Sequence, residues 1–385
     1  MNQERAARLR LARLTEPGDA QIGELAVLGQ AIDVLRRIRE SDPTLDRVEN
    51  YRARLDAPED RRTDLAGDLD PGPDERWLEE TSARYVIPGD GEWPTQLDAL
   101  GAVRPLGLFV RGADLRLAAL RSVAVVGARA ATAYGLHTAS EFGSDLADRG
   151  WTVVSGGAYG IDAAAHRGAL SAGGTTVAVL ACGVDVSYPS GNAALFERIV
   201  ADAGCLVSEL APGTHPTKPR FLQRNRVIAA LTRATVVVEA AERSGALNTA
   251  AYCRRLGRQL LAVPGPVTSP MSAGCHRLIR ADEPARLVTG VDEVVEEVGP
   301  IGELAPLPTI LERVRDGLDP TSLLVLEAVP VRAPAGPAEI SRSAGLPLDT
   351  VPGVLLRLAA AGLVVDRGDK GFQLVRGAGD RPLSG

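Results

Sequence analysis

From Ser122 onward, short apolar runs alternate with longer alanine-rich stretches. The runs Val123–Val126, Thr152–Val154, Thr176–Leu180, Leu206–Ser208, Thr235–Val238 and Leu260–Val263 are β-branched and predict strands. The stretches between them predict helices over Tyr134–Arg149, Ile161–Ala172, Ala193–Ala203, Phe221–Thr232 and Ala246–Leu256. Such alternation implies βαβ units, a parallel sheet and right-handed crossovers. The pattern before and after differs. In residues 1–80, Ile22, Leu25, Ala26, Leu28, Ile32 and Leu35 recur at roughly helical spacing, which predicts a small helical domain. Asp56–Arg76 is rich in Asp, Pro and Arg and predicts an exposed connection. A lead-in with one short strand follows from Tyr85, so the sheet domain is placed at 85–298. Residues 299–320 carry the Pro and Gly of a linker. Beyond it, helices at Thr321–Ala328, Pro337–Ala344 and Asp349–Ala361 precede a hairpin formed by Leu363–Asp366 and Phe372–Val375. That is winged-helix order, within 321–376. Its third helix offers Arg357 and little else that is basic, which favours a protein contact over reading bases in a groove.

In open parallel sheets ligands bind beyond the carboxyl ends of the strands, so the residues after each strand are the informative ones. After the second strand comes Ser155-Gly156-Gly157-Ala158-Tyr159-Gly160-Ile161-Asp162, a glycine-rich turn into a helix. Amides left unpaired in such a turn, with the positive end of the helix dipole, make a seat for an anion, most often a phosphate. A tight βα turn without a ligand is the plainer alternative. Arg129 follows the first strand, Lys218 and Arg220 the fourth, and Arg224 and Arg226 lie just inside the next helix. Ser244-Gly245-Ala246 opens another helix near Thr249. Two nucleotide signatures are missing. Gly127 is not part of a G-x-G-x-x-G, and there is no G-x-x-x-x-G-K-[ST].

Overall charge changes the picture only through its distribution. The chain carries −6, which by itself disfavours a nucleic-acid partner. Between Leu210 and Ala281, however, eleven Lys and Arg stand against only Glu239 and Glu242. A segregated charge of this kind is a candidate electrostatic footprint. Cys182, Cys205, Cys253 and Cys275 are widely spaced and contain no C-x-x-C, so reduced thiols in a cytoplasmic protein are expected. The four histidines show no metal spacing. No apolar run approaches a membrane span, and no secretory signal is expected.

The motifs together resemble one family. Val125-Val126-Gly127-Ala128-Arg129, the Ser155–Asp162 turn and the helix Phe221-Leu222-Gln223-Arg224-Asn225-Arg226-Val227-Ile228-Ala229-Ala230-Leu231 resemble the signatures of the DprA/Smf family. Glu239-Ala240, Ser244–Ala250 and Ala262-Val263-Pro264-Gly265 follow in the family's order. Tyr159 stands where many members have Arg, and Cys275-His276-Arg277 where many have a G-x-N-R-L-I stretch. The resemblance implies an extended Rossmann-like domain that binds single-stranded DNA, a homodimer, and loading of the RecA recombinase. It implies no enzymatic activity and no cofactor.

Expected roles follow. Phosphates sit on the amides of Ser155, Gly156, Gly157 and Gly160. Arg129, Lys218, Arg220, Arg224 and Arg226 supply charge, with Asn225 beside them. Arg224 and Arg226 diverge on a helix, so one of the two braces a loop instead. Phe221 stacks on a base or, alternatively, is a core aromatic. Ser244, Gly245 and Thr249 make a second helix-end contact or simply cap the helix. Asp162 orients the turn. A different class of function, hydrolysis of nucleoside monophosphates, needs a carboxylate at the strand ends, for which Glu209 and Glu239 are the candidates. A third is an assembly scaffold working through its C-terminal tail.

Overall fold

A computed structural model describes residues 3–46, 48–56, 72–299, 318–331 and 333–375. The chain divides into two compact units, 1–305 and 306–385. Of the expected connection Asp56–Arg76, residues 57–71 lie outside the described residues, as does most of the expected linker, and 72–76 instead begin a helix.

The larger unit is built on one sheet whose strands run, edge to edge, β1 (Arg84–Val86), β2 (Leu108–Gly112), β6 (Cys205–Ser208), β5 (Thr176–Val179), β4 (Thr152–Ser155), β3 (Ser122–Val126), β7 (Ala234–Val237), β8 (Gln259–Ala262) and β9 (Arg286–Leu287). From β6 to β9 every pairing is parallel; β1 and β2 add an antiparallel edge. The chain starts in the middle at β3, winds out through β4, β5 and β6, then crosses back to lay β7 on the other side of β3. This is the expected Rossmann-like fold, extended at both edges. Its central strands β3 to β7 are buried on both faces, which is why they appear in the sequence as unbroken apolar runs.

Side chains alternate across the sheet and feed two cores. Ala124 and Val126 of β3 face Val227, Ile228 and Leu231 of α10 (Lys218–Leu231) and Ala250 of α11 (Ala246–Arg255). Val123 and Val125 face the opposite layer: Ala139 and Phe142 of α7 (Ala133–Asp148), Ala165 of α8 (Ile161–Ser171) and Val294 of α13 (Val291–Val298). Phe196 and Ile199 of α9 (Ala193–Ala201) cover the β5–β6 end. The sequence pattern stops at Val263, but α12 (Ala273–Ile279), β9 and α13 continue it. These are short, and β9 is exposed, so no apolar run marks it.

The N-terminal helices α1 (Gln3–Leu14), α2 (Ala20–Leu28), α3 (Ala31–Arg39) and α4 (Val48–Asp56) share the larger unit with the sheet. Arg5 pairs with Asp90 at 2.7 Å, and Arg8 donates to the Leu106 carbonyl at 3.1 Å. The helices α5 (Gly72–Thr81) and α6 (Leu115–Leu120) flank the lead-in strands. The smaller unit holds α14 (Pro320–Ala328), α15 (Pro337–Ala344), α16 (Val351–Ala360) and an antiparallel hairpin of β10 (Val364–Asp366) with β11 (Phe372–Leu374). Val325, Ile340, Leu355, Leu358 and Phe372 form its own core.

Candidate nucleic-acid cleft at the switch point

Where strand order reverses, between β3 and β7, the loops leaving the two strands part and open a crevice. A cleft of about 690 Å³ lies there. Gly127–Ala130 after β3 and Ala241–Ala246 after β7 form two walls; the first turns of α10 form the third. Three cations line it, Arg129, Lys218 and Arg224, against one carboxylate, Asp162.

One boundary decides which residues face it. Helix α10 begins at Lys218, not at Phe221 as expected, because Pro219 sits in the first turn, where its missing N–H costs nothing. Counting from Lys218, helical spacing places Phe221, Leu222 and Asn225 on the same stripe. All four line the cleft. Arg220 and Arg226 leave that stripe, which corrects the expectation that they contribute to the site. Arg220 is buried against Glu16 at 3.1 Å and the His215 carbonyl at 2.5 Å. Arg226 is fully buried, bonded to Glu209 at 2.6 Å and to the Val103 carbonyl at 2.8 Å. It braces a loop, as one member of the Arg224/Arg226 pair was expected to do.

The glycine-rich turn behaves differently from the anion seat expected of it. Ser155 is fully buried and its hydroxyl donates to the Val125 carbonyl at 2.7 Å. The amides of Gly156 and Ala158 donate to the Asp162 carboxylate at 3.1 and 3.3 Å. The turn supplies Ala158 and Asp162 to the cleft, but not Ser155, Gly156, Gly157 or Gly160. The glycines serve packing. A Cβ on Gly156 would lie about 2.4 Å from the Arg224 guanidinium. Gly160 has φ +75°, and a Cβ there would meet the Ala128 carbonyl at 2.3 Å. The Gly156 and Ala158 amides are thus taken up within the turn itself.

Arg224 is the keystone of that floor. It is buried, donating to the Gly156 carbonyl at 2.7 Å, to the Val179 carbonyl and to Asn225 Oδ1 at 3.2 Å. Asn225 in turn donates to the Gly245 carbonyl and to Asn248 Oδ1, both at 3.3 Å. The chain of bonds ties the turn after β4, the end of β5, α10 and the start of α11 together beneath the cleft. Burial pulls the Arg224 guanidinium down to about 10, against the nearby Asp162 carboxylate; it stays charged at neutral pH. Burial also pushes the Asp162 carboxyl up, against the pull of Arg224 and the two amides.

The rim is aromatic as well as cationic. The Arg129 guanidinium lies 4.4 Å over the Phe221 ring, and Tyr188 packs on the same ring at 5.8 Å with a 49° tilt. Phe221 is half-buried on the cleft wall, outside the apolar core clusters. Ser244, Gly245 and Thr249 line the far wall, and Ser244 Oγ accepts the Ala246 amide at 3.3 Å. The N-cap of α11 is Gly245, without a side-chain cap bond, and Ser244 reaches the first helical amide from the position before it. The sequence places Tyr188-Pro189 after the third strand but assigns Tyr188 no role; a lone Tyr-Pro pair gives no charge or motif signal.

The dense run of basic residues is not one footprint. Arg233 donates to the Leu120 and Val298 carbonyls and lies over Trp151, at the amino ends of the strands. Arg254 and Arg255 end α11, and Arg258 precedes β8, at that same opposite edge. The carboxylates a hydrolase would need are also engaged. Glu209 holds Arg226, and Glu239 is buried, accepting from the Thr132 amide at 2.9 Å and its hydroxyl at 2.6 Å. Among the described residues there is no cluster of His, Cys, Asp or Glu able to hold a metal and no helix long and apolar enough to cross a membrane. Burial pushes the Cys182 thiol up to about 11, away from nucleophilic thiolate character.

Residues 84–299 match the family described as DNA recombination-mediator protein A. The chain is 44% identical to the "Putative DNA processing protein DprA" of Mycobacterium tuberculosis, over 97% of this chain and 96% of that one. It is 42% identical to the "DNA processing protein DprA" of Streptococcus pneumoniae over 50% of this chain and 67% of the relative. The crystal structure of the Streptococcus pneumoniae protein superposes with a TM-score of 0.58 at 30% identity, covering 77% of this chain and 98% of that chain. The switch-point architecture, the motif order and near full-length similarity agree: this chain belongs to the DprA/Smf family of DNA recombination-mediator proteins.

Proposed function

We infer that the chain binds single-stranded DNA across the switch-point cleft and works as a recombination mediator in DNA uptake and recombination. The observation that carries this is the wall formed by the start of α10, where exposed Lys218 and half-buried Phe221 share one stripe beneath Arg129. A flexible strand offers phosphates to the cations and unpaired bases to the rings, and a duplex offers only the former. The residues engaged are Arg129, Lys218, Phe221 and Asn225, with Ser244, Gly245 and Thr249 on the facing wall. Binding is non-catalytic and needs no cofactor; the spent carboxylates Glu209 and Glu239 support this over nucleotide hydrolysis. Delivery of the strand to RecA by a homodimer is the extension that family membership supports. The smaller unit's order of three helices and a hairpin fits a winged helix, with Arg357 the basic residue in the last turn of its third helix. That favours a protein contact for this unit. A cytoplasmic location fits four buried free cysteines.

A gel-shift comparison of single- and double-stranded oligonucleotides of equal length, repeated across salt concentrations, tests the reading. The single strand should be preferred, with log affinity falling against log salt at a slope of about −1.5 to −2 for two to three neutralised phosphates. Equal or tighter duplex binding, or affinity flat in salt, would overturn it.

A further inference from the structure

Two tyrosines in and beside the cleft are partly exposed. Tyr188 is 44% and Tyr159 is 48% exposed. Tyr188 lies on the loop after β5 and lines the cleft. Phe221 beside it has one ring contact from Arg129 and another from Tyr188. Its neighbours therefore already occupy much of the surface that a base would stack on. The ring of Tyr188 is the more open of the pair.

Tyr159 extends the same surface outward. It follows Ala158, which lines the cleft, and its ring lies against Gly191: a Cβ there would be 2.7 Å from Tyr159 Oη and 3.2 Å from Cε1. The loop that carries Tyr188 thus ends beneath Tyr159. Asn192, 1% exposed, locks the two together by donating to the Gly157 carbonyl at 3.0 Å and the Ala158 carbonyl at 3.3 Å. Neither ring is held in place by burial; buried Asn192 is the tie between the two segments that carry them.

We propose that Tyr188 and Tyr159 form a stacking track that takes successive unpaired bases of a strand leaving the cleft, with Phe221 and Arg129 acting as the wedge that sets the Tyr188 ring. The occupant is an unpaired polynucleotide: the track runs on from the cationic cleft, and stacking on a ring face is open to any base. This proposal rests on the cleft reading and adds the path by which the strand leaves. Tyr188 and Tyr159 are the binding residues it adds to the cleft; Phe221, besides its place on the cleft wall, and Asn192 set their position.

The test uses the full chain with oligo(dT) and an abasic strand of equal length, which keeps the phosphates and removes the bases. Wild type should bind oligo(dT) more tightly than the abasic strand. Y188A and Y159A should each weaken oligo(dT) binding about tenfold while leaving abasic binding and its salt slope alone, and the double variant should nearly erase the preference. Y188F and Y159F should retain it, because stacking needs the ring and not the hydroxyl. If wild type binds both strands but the alanine variants keep the full preference, the track is overturned and the cleft stands. If wild type binds neither strand, both fall.

Discussion

Two stretches border the cleft, and they work in opposite ways. The turn Ser155–Asp162 has the composition of a phosphate loop, yet its amides at Gly156 and Ala158 are consumed by Asp162 and its glycines are filled by Arg224 and the Ala128 carbonyl. The start of α10 has no glycine at all, yet it turns Lys218, Phe221, Leu222 and Asn225 toward the cleft. A glycine-rich strand-to-helix turn is thus equally a device for bringing chain segments together. What distinguishes the two uses is whether a carboxylate within the loop already accepts the amides. The turn is a floor, and the helix start is the working wall.

Breaking the floor should have the largest effect. Arg224→Ala removes the cation beside the buried Asp162 and strips the donors from the Gly156 and Val179 carbonyls. An unfolding free-energy loss of about 3–5 kcal/mol is expected, as when one member of a buried charge pair is removed. Urea denaturation measures it. Under conditions where the variant stays folded, its salt slope for single strands should match wild type. A variant as stable as wild type would return Arg224 to the role of a simple phosphate contact.

Acidification probes the floor again, less strongly. His166 of α8 is fully buried, and burial holds its imidazole down to about 3. Its Nδ1 lies 2.7 Å from Thr176 Oγ1, whose own proton goes to the Val153 carbonyl, so Nδ1 is the donor. Nε2 has no partner, so protonation would create a charge with nothing to receive it. The folded state binds this proton less readily than the unfolded chain. Stability is therefore complete above pH 6.5 and falls as pH drops, by up to about 2.5 kcal/mol at pH 4.5. Asp162 has the opposite sign, because its raised carboxyl gains its proton more readily when folded. The difference between wild type and His166→Gln isolates the histidine: the variant should lose less stability between pH 6.5 and 4.5. Parallel pH curves would contradict this.

The sheet was legible because parallel strands buried on both faces leave unbroken apolar runs, as at Val123–Val126. The cleft's location was legible too, since ligands gather where strand order reverses. The orientation of single side chains was not. A three-residue error at the start of α10 turned Lys218–Arg220 into a loop and hid the stripe, and with it the reason Arg220 and Arg226 face away. Their acidic partners, Glu16 and Glu209, lie 204 and 17 residues distant. No local pattern announces such pairs, so a count of basic residues between Leu210 and Ala281 overstates the charge a ligand meets. Tyr188 shows the reverse failure: it entered the site only through the fold.

The smallest effect is the most discriminating. Lys218 is exposed, and it lines the working wall at the first position of α10. Lys218→Ala should leave stability within about 0.5 kcal/mol of wild type, since an exposed side chain outside the core contributes little. It should lower single-strand affinity several-fold at low salt and make the log–log salt slope shallower by about 0.7, the share of one phosphate on a single strand. Arg224→Ala should show the reverse pairing, a large stability loss with the slope kept. If Lys218→Ala leaves the slope intact, phosphates do not lie along the start of α10. The distinction between a structural floor and a working wall would then have to be abandoned.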